Sequence, residues 1–109
     1  MKYFVYDYER KSTNYHEFYK GKWDEKTFWH PDSISIDDNI LYENPDFVDA
    51  IISVIPTYDP FGETEINHKQ WIDIGKKVTD TQSKELYEEA NEWLKTIWDK
   101  YPCFTILGL

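Results

Sequence analysis

The sequence predicts a single α+β domain spanning 1–109, with a small mixed sheet and two or three helices packed mainly on one face. Three observations favour this fold. An aromatic and β-branched run, "KYFVYDY" (2–8), opens the chain, an apolar run, "CFTILGL" (103–109), closes it, and helical patterns lie between them. We therefore expect the N- and C-terminal strands to share the centre of the sheet. A chain of 109 residues suits one domain and is long enough to bury a core.

The first third of the chain is predicted to be mainly strand. The opening run is apolar on both faces, which is typical of a strand inside a sheet. The stretch "NYHEFYKGKW" (14–23) favours neither helix nor strand. Within "FWHPDSISIDDNILY" (28–42), Pro31 marks a break, the alternation of "SISID" predicts a short strand, and "NILY" is predicted to form a second one.

A helix is predicted over 43–56. Asn44 is a suitable N-cap, Pro45 fits the first helical position, and Pro56 ends the pattern. The apolar face of this helix is formed by residues at helical spacing: Phe47, Ile51, Val54 and Ile55.

Two further helices are predicted in the second half of the chain. The first covers "INHKQWIDIGKKVTD" (66–80), which has three apolar residues at helical spacing: Trp71, Ile74 and Val78. The second, "SKELYEEANEWLKTIWDKY" (83–101), is the clearest element, because its four glutamates come early and Lys95 and Lys100 come late, as the helix dipole favours. Its apolar stripe consists of Leu86, Ala90, Trp93, Ile97 and Tyr101.

Acidic residues are distributed unevenly along the chain, whose formal net charge is −9. Residues 1–30 carry a net charge of +1 and residues 67–109 a net charge of −1, so the segment 31–66 accounts for the whole imbalance. Two interpretations are open: a solvated face with some acids at helix N-termini, or an acidic surface that meets a basic partner. The segment has no Lys or Arg and contains nine acids: Asp32, Asp37, Asp38, Glu43, Asp46, Asp49, Asp59, Glu63 and Glu65.

The composition also bounds where the protein works and what it binds. Net negative charge argues against direct nucleic-acid binding, which needs clustered bases to displace counterions from phosphates. No run approaches the roughly 18 apolar residues of a membrane helix, and the N-terminus lacks the apolar run of a signal peptide. Cys103 is the only cysteine, so no internal disulfide is possible, and its place in a predicted buried strand indicates a structural thiol. We expect a soluble, cytoplasmic protein that binds neither nucleic acid nor membrane.

No sequence motif indicates catalysis, so we predict no enzyme, no catalytic residue and no cofactor. The nucleophile elbow, the P-loop and the dinucleotide fingerprint are all absent, and the three histidines lack metal-site spacing. An alternative prediction is a small hydrolase that uses paired carboxylates, with a divalent metal on the oxygens of three acids. Those acids are Asp32, Asp37 and Asp38, and the histidines are His16, His30 and His68.

The stretch "YDPFGETE" (58–65) combines two aromatics with three acids and no base. Pro60 and Gly62 are turn residues, so a plain connection between helices is one interpretation. In that case Tyr58 and Phe61 cover a helix end. Exposed aromatics among acids are also typical of an interface hot spot, which is the second interpretation.

Three stretches resemble small immunity proteins of bacterial contact-dependent inhibition and other polymorphic toxin systems. They are the aromatic-rich start "KYFVYDY", the middle "VIPTYDPFGETEINHKQWIDI" and the end "EANEWLKTIWDKYPCFTILGL". The resemblance spans most of the chain and is one of general style, without a shared catalytic motif. It implies tight binding to one cognate toxin C-terminal domain, often a nuclease, with the toxin's active site blocked.

A nuclease toxin is usually basic because it binds nucleic acid, so an acidic inhibitor suits it. We therefore expect an immunity protein that neutralises a basic toxin domain. A third possibility is a generic acidic adaptor or nucleic-acid mimic. The predicted toxin-binding residues are Asp37, Asp38, Tyr58, Asp59, Phe61, Glu63 and Glu65.

Overall fold

The computed structural model describes residues 1–108 and confirms the predicted α+β class. The strands are β1 (Phe4–Tyr6), β2 (Tyr15–Lys20), β3 (Ile34–Asp37), β4 (Glu63–Asn67) and β5 (Cys103–Leu107). The α-helices are α1 (Asp38–Tyr42), α2 (Pro45–Val54), α3 (His68–Lys77) and α4 (Thr81–Leu94). A short 3-10 helix, Asp7–Glu9, follows β1. No helix within residues 1–108 is long and apolar enough to cross a membrane.

The five strands form one sheet in the order β1-β3-β2-β5-β4. All pairings among the described strands are antiparallel, where a mixed sheet was expected. The C-terminal strand β5 lies inside the sheet as predicted. The N-terminal strand β1 lies at an edge: among the described strands it pairs only with β3, which separates it from the central strand β2.

One face of the sheet, here called the helix face, carries the core. Paired residues of antiparallel strands point to the same side, so Phe18 shares this face with its partners Ile34 and Ile106. The helices pack here, as predicted for one face. Trp71 of α3, for example, meets the ring of Phe104 edge-on with centroids 5.5 Å apart.

The opposite face, here called the loop face, is covered by the segment 21–33. This segment is held by Glu17, which is 1% exposed and, within residues 1–108, has no basic group within 4.0 Å. Its carboxylate accepts hydrogen bonds from the amides of Trp29 (2.7 Å) and His30 (2.9 Å) and from the hydroxyl of Ser33 (2.6 Å). These three hydrogen bonds replace the water that the buried carboxylate would otherwise bind.

Several predicted elements differ in the structure. The strand predicted over 2–8 is shorter, because β1 ends at Tyr6 and the 3-10 helix Asp7–Glu9 follows it. The stretch "NILY" is helix α1 and not a strand, because the Asp37 carboxylate accepts the amide hydrogen of Asn39 (2.8 Å) and caps a helical turn. The predicted helix 83–101 ends at Leu94 as an α-helix and continues as turns. There the Thr96 hydroxyl donates to the Trp93 carbonyl (2.7 Å), a local bond that competes with the helical ladder.

Strand β4 was not predicted. Its side chains alternate, with Thr64 and Ile66 buried and the other three residues exposed. Asn67 then caps α3 by accepting the amide hydrogen of Gln70 (2.8 Å), so the predicted helix 66–80 begins at His68.

Candidate functional site

Most of the predicted binding residues meet at one end of the sheet. Strand β3 ends at Asp37, β5 ends at Leu107, and β4 begins at Glu63, which pairs with Leu107. The start of α1 and the turn before β4 therefore lie at the same end of the sheet. We call this region the acidic end, formed by Asp37, Asp38, Tyr58, Asp59, Phe61 and Glu63.

A buried histidine, which the sequence did not single out as functional, joins the two halves of the acidic end. The His16 side chain is fully buried, with Nδ1 2.7 Å from Asp38 Oδ1 and Nε2 3.2 Å from the Pro60 carbonyl oxygen. Asp38 belongs to α1 and Pro60 to the turn before β4, so the imidazole ring links these two elements. Gly108 packs directly against this pair and leaves no room for a side chain: a Cβ there would lie 2.8 Å from His16 Nε2 and closer still to the Pro60 oxygen.

The turn that carries Phe61 is fixed by its own hydrogen bonds. Asp59 Oδ1 accepts the amide hydrogen of Phe61 (2.9 Å), and the Asp59 amide donates to the Thr64 hydroxyl (3.1 Å). The Gly108 amide donates to the Gly62 carbonyl (2.8 Å) and ties the turn to β5. The conformation of the turn is therefore fixed by contacts within the chain.

The two aromatics of the turn have different environments. Phe61 is 76% exposed, whereas Tyr58 is partly buried and packs against the core. Burial, with Tyr42, Asp38 and Asp59 nearby, raises the pKa of Tyr58 to about 12. Tyr58 thus covers the core, whereas the Phe61 ring is open to solvent.

Beside Phe61, an apolar groove opens on the loop face. Trp23, Phe28 and Leu107 line it with Phe61 and Glu63, around a volume of about 170 Å³. The Trp23 and Phe28 rings lie 5.2 Å apart. Trp23 and Phe28 were not predicted to belong to a site, because they come from a segment of the chain far from the turn.

Glu65 lies one step inward from the acidic end along β4. It lines a second groove of about 350 Å³ with Lys22, Trp23, Glu25 and Glu63. Its Oε1 accepts a hydrogen bond from the Cys103 thiol at 3.4 Å.

Cys103 is expected to react slowly in the folded chain. Burial, aided by the Glu65 carboxylate, raises the pKa of the thiol from 9.0 to about 11. At pH 8 the thiolate is therefore about a hundredfold rarer than in the unfolded chain, and we expect alkylation to be slower in the folded chain. Rates with iodoacetamide in buffer and in urea measure the ratio. Equal rates in both would contradict this environment.

Carboxylates of the acidic segment that serve the fold can be separated from those that do not. Asp46 accepts the amide hydrogens of Thr79 (2.8 Å) and Asp80 (3.1 Å), which lowers the pKa of Asp46 and joins α2 to the start of α4. Asp32 pairs with Lys20 at 2.6 Å, and Asp38 with His16. Within residues 1–108, only Asp32 and Asp38 of the nine acids in 31–66 have a basic group within 4.0 Å, so the other seven, Asp46 included, have none.

The alternative metal site is not assembled. Asp32 is bound to Lys20, Asp37 caps α1, and Asp38 faces His16. No group of three or more His, Cys, Asp or Glu placed to hold a metal ion occurs within the described part of the chain, 1–108.

Comparisons with known proteins give no relative from which a site can be transferred. No protein-family model, no curated protein and no solved structure matches the chain. Function is therefore inferred from the geometry and charge of the acidic end.

Proposed function

We propose that this chain is an immunity protein, a non-enzymatic inhibitor that binds and neutralises a basic toxin domain, in keeping with the resemblance. The observation that carries the proposal is Phe61. It is 76% exposed on a turn fixed by hydrogen bonds, with Asp59 and Glu63 exposed beside it. An aromatic anchor ringed by carboxylates suits a partner rich in Lys and Arg.

The charge distribution supports a basic partner over a neutral one. Asp59, Glu63 and Glu65 are exposed, and within residues 1–108 none of them has a basic group within 4.0 Å. They are therefore available to steer a basic partner into contact and to pair with its side chains. With a net charge of −9, the whole chain adds to this attraction.

The fixed turn supports a tight complex. A side chain that is already held in place loses little freedom on binding, so more of the contact energy appears as affinity. Phe61 supplies apolar area to bury, and the adjacent groove beside Trp23 and Phe28 accepts an apolar side chain of the partner. In this proposal the protein acts in the cytoplasm on a toxin C-terminal domain, a nuclease, without cofactor, metal, nucleic acid or membrane.

Co-expression with the toxin domain encoded beside this gene tests the proposal. We expect growth to be restored and the two chains to purify as a complex that weakens as salt is raised. Glu88→Lys, an exposed change on α4, serves as the control and is expected to protect as well as the parent. Undiminished toxicity with no complex would reject the function.

A further inference from the structure

The outer edge of β4 is open along two residues. The bond from the Gly108 amide to the Gly62 carbonyl fixes the phase of the β4–β5 ladder. In an antiparallel pair, residues alternate between those that exchange hydrogen bonds with the partner strand and those whose backbone groups point away. Thr64 and Ile66 therefore bond to β5. The residues whose N–H and C=O point outward are Glu63 and Glu65.

The two edges of the sheet are treated differently. At the β1 edge, carboxylates accept amide hydrogens of the strand and of the two residues before it. Glu89 accepts those of Lys2 (2.9 Å), Tyr3 (2.8 Å) and Phe4 (2.8 Å), and Glu9 accepts that of Tyr6 (3.0 Å). At the β4 edge, no hydrogen bond within residues 1–108 uses the outward backbone groups of Glu63 or Glu65. An open strand edge is a template for another strand.

Charge decides which strand fits. The Glu63 and Glu65 side chains are both exposed and lie on the loop face, two residues apart. A second copy of this chain would place acids opposite acids, which is destabilising, whereas Lys or Arg at alternate positions would form opposite-charge pairs. Among the described residues, Lys22 is the only base that lines the second groove, which also contains the acids Glu25, Glu63 and Glu65.

We infer that the β4 edge binds an extended, Lys- or Arg-bearing segment of a protein partner as a sixth strand. Backbone hydrogen bonds at Glu63 and Glu65 supply the docking, and alternate basic side chains supply the selectivity. An apolar residue further along that segment reaches the groove beside Phe61. This mode rests on the proposed function and specifies how the basic partner binds.

The probe is a blocked nine-residue peptide of alternating Lys and Val, titrated at up to millimolar concentration into the isotope-labelled full chain. We expect the amides of Glu63 and Glu65 to become protected from hydrogen exchange. The double change Glu63→Gln with Glu65→Gln is expected to weaken binding about tenfold, since two cross-strand charge pairs are lost. A peptide with Glu in place of Lys is the negative control.

A backbone variant separates strand addition from simple charge attraction. Glu65→Pro removes one outward N–H while the ladder bonds of Thr64 and Ile66 remain, and we expect binding to fall at least about tenfold. If this variant does not fold, the exchange protection in the parent and the double Gln variant decide the question. Absent binding, unprotected Glu63 and Glu65 amides, or parental affinity in a folded Glu65→Pro chain would overturn the docking mode.

The two proposals fail separately. A Glu65→Pro chain that still rescues cells from the toxin would reject strand addition and leave the immunity function intact. Peptide docking at β4, together with no rescue by the parent, would reject the immunity function alone.

Discussion

Replacing Glu17 with leucine is expected to lower the free energy of unfolding by about 3–5 kcal/mol, because it leaves three donors of the covering segment without their acceptor. The amides of Trp29 and His30 and the hydroxyl of Ser33 all donate to this one carboxylate. The apolar contacts of the leucine side chain do not compensate for three donors that are left without an acceptor. Urea unfolding followed by tryptophan fluorescence measures the loss.

The backbone conformation of the segment also depends on Glu17. Trp29 has a φ of 62°, a left-handed conformation that costs about 1–3 kcal/mol and persists only where its surroundings impose it. The bond from its amide to Glu17 is one of the contacts that impose it, with the Arg10 guanidinium 3.7 Å from the ring centroid. Without Glu17, the segment releases the strain at Trp29 when it relaxes away from the sheet.

Two variants calibrate this result. Glu17→Gln keeps one acceptor oxygen, so we expect about half of the leucine loss. Glu25→Gln changes an exposed carboxylate on the same segment and is expected to stay within about 0.5 kcal/mol of the parent. A leucine variant that loses less than about 1 kcal/mol would show that Glu17 does not hold the segment.

Local patterns predicted the elements whose signals are local. Helix α2 begins at Pro45, as its N-cap and proline indicated, and β5 is buried along its whole length. The sequence of strand β2 favours neither helix nor strand, because both of its faces are buried and its polar residues break the apolar run. The alternation is nonetheless visible afterwards: His16 and Phe18 face the helices, while Glu17 and Tyr19 face the segment 21–33.

The acidic end could be predicted only in part. Asp59, Phe61 and Glu63 are neighbours in sequence, so composition was enough to group them. Their meeting with Asp38 depends on the pairing of β2 with both β3 and β5, a long-range register that no local pattern encodes. His16 was missed for the same reason, since its role appears only when Asp38 and Pro60 converge on it.

Reversing three carboxylates together is expected to have the largest effect on toxin binding. Asp59→Lys, Glu63→Lys and Glu65→Lys are expected to slow association with a basic toxin about 10–1000-fold, because steering depends on the local field. Phe61→Ala is expected to act mainly on dissociation and to cost about 2 kcal/mol of affinity, as an exposed anchor does. Stopped-flow association rates at several salt concentrations distinguish the two effects.

A matched control separates the position of the charges from the total charge. The triple change Glu88→Lys, Glu92→Lys and Asp99→Lys alters the net charge equally on exposed positions of α4 and the turns after it. Since fields of exposed charges fall off within about 10 Å at moderate salt, this variant is expected to associate within a few-fold of the parent. Equal slowing by both triple variants would mean that only net charge matters. Parental binding and protection by the Asp59, Glu63 and Glu65 variant would place the toxin-binding surface elsewhere on the chain, while leaving an immunity function possible.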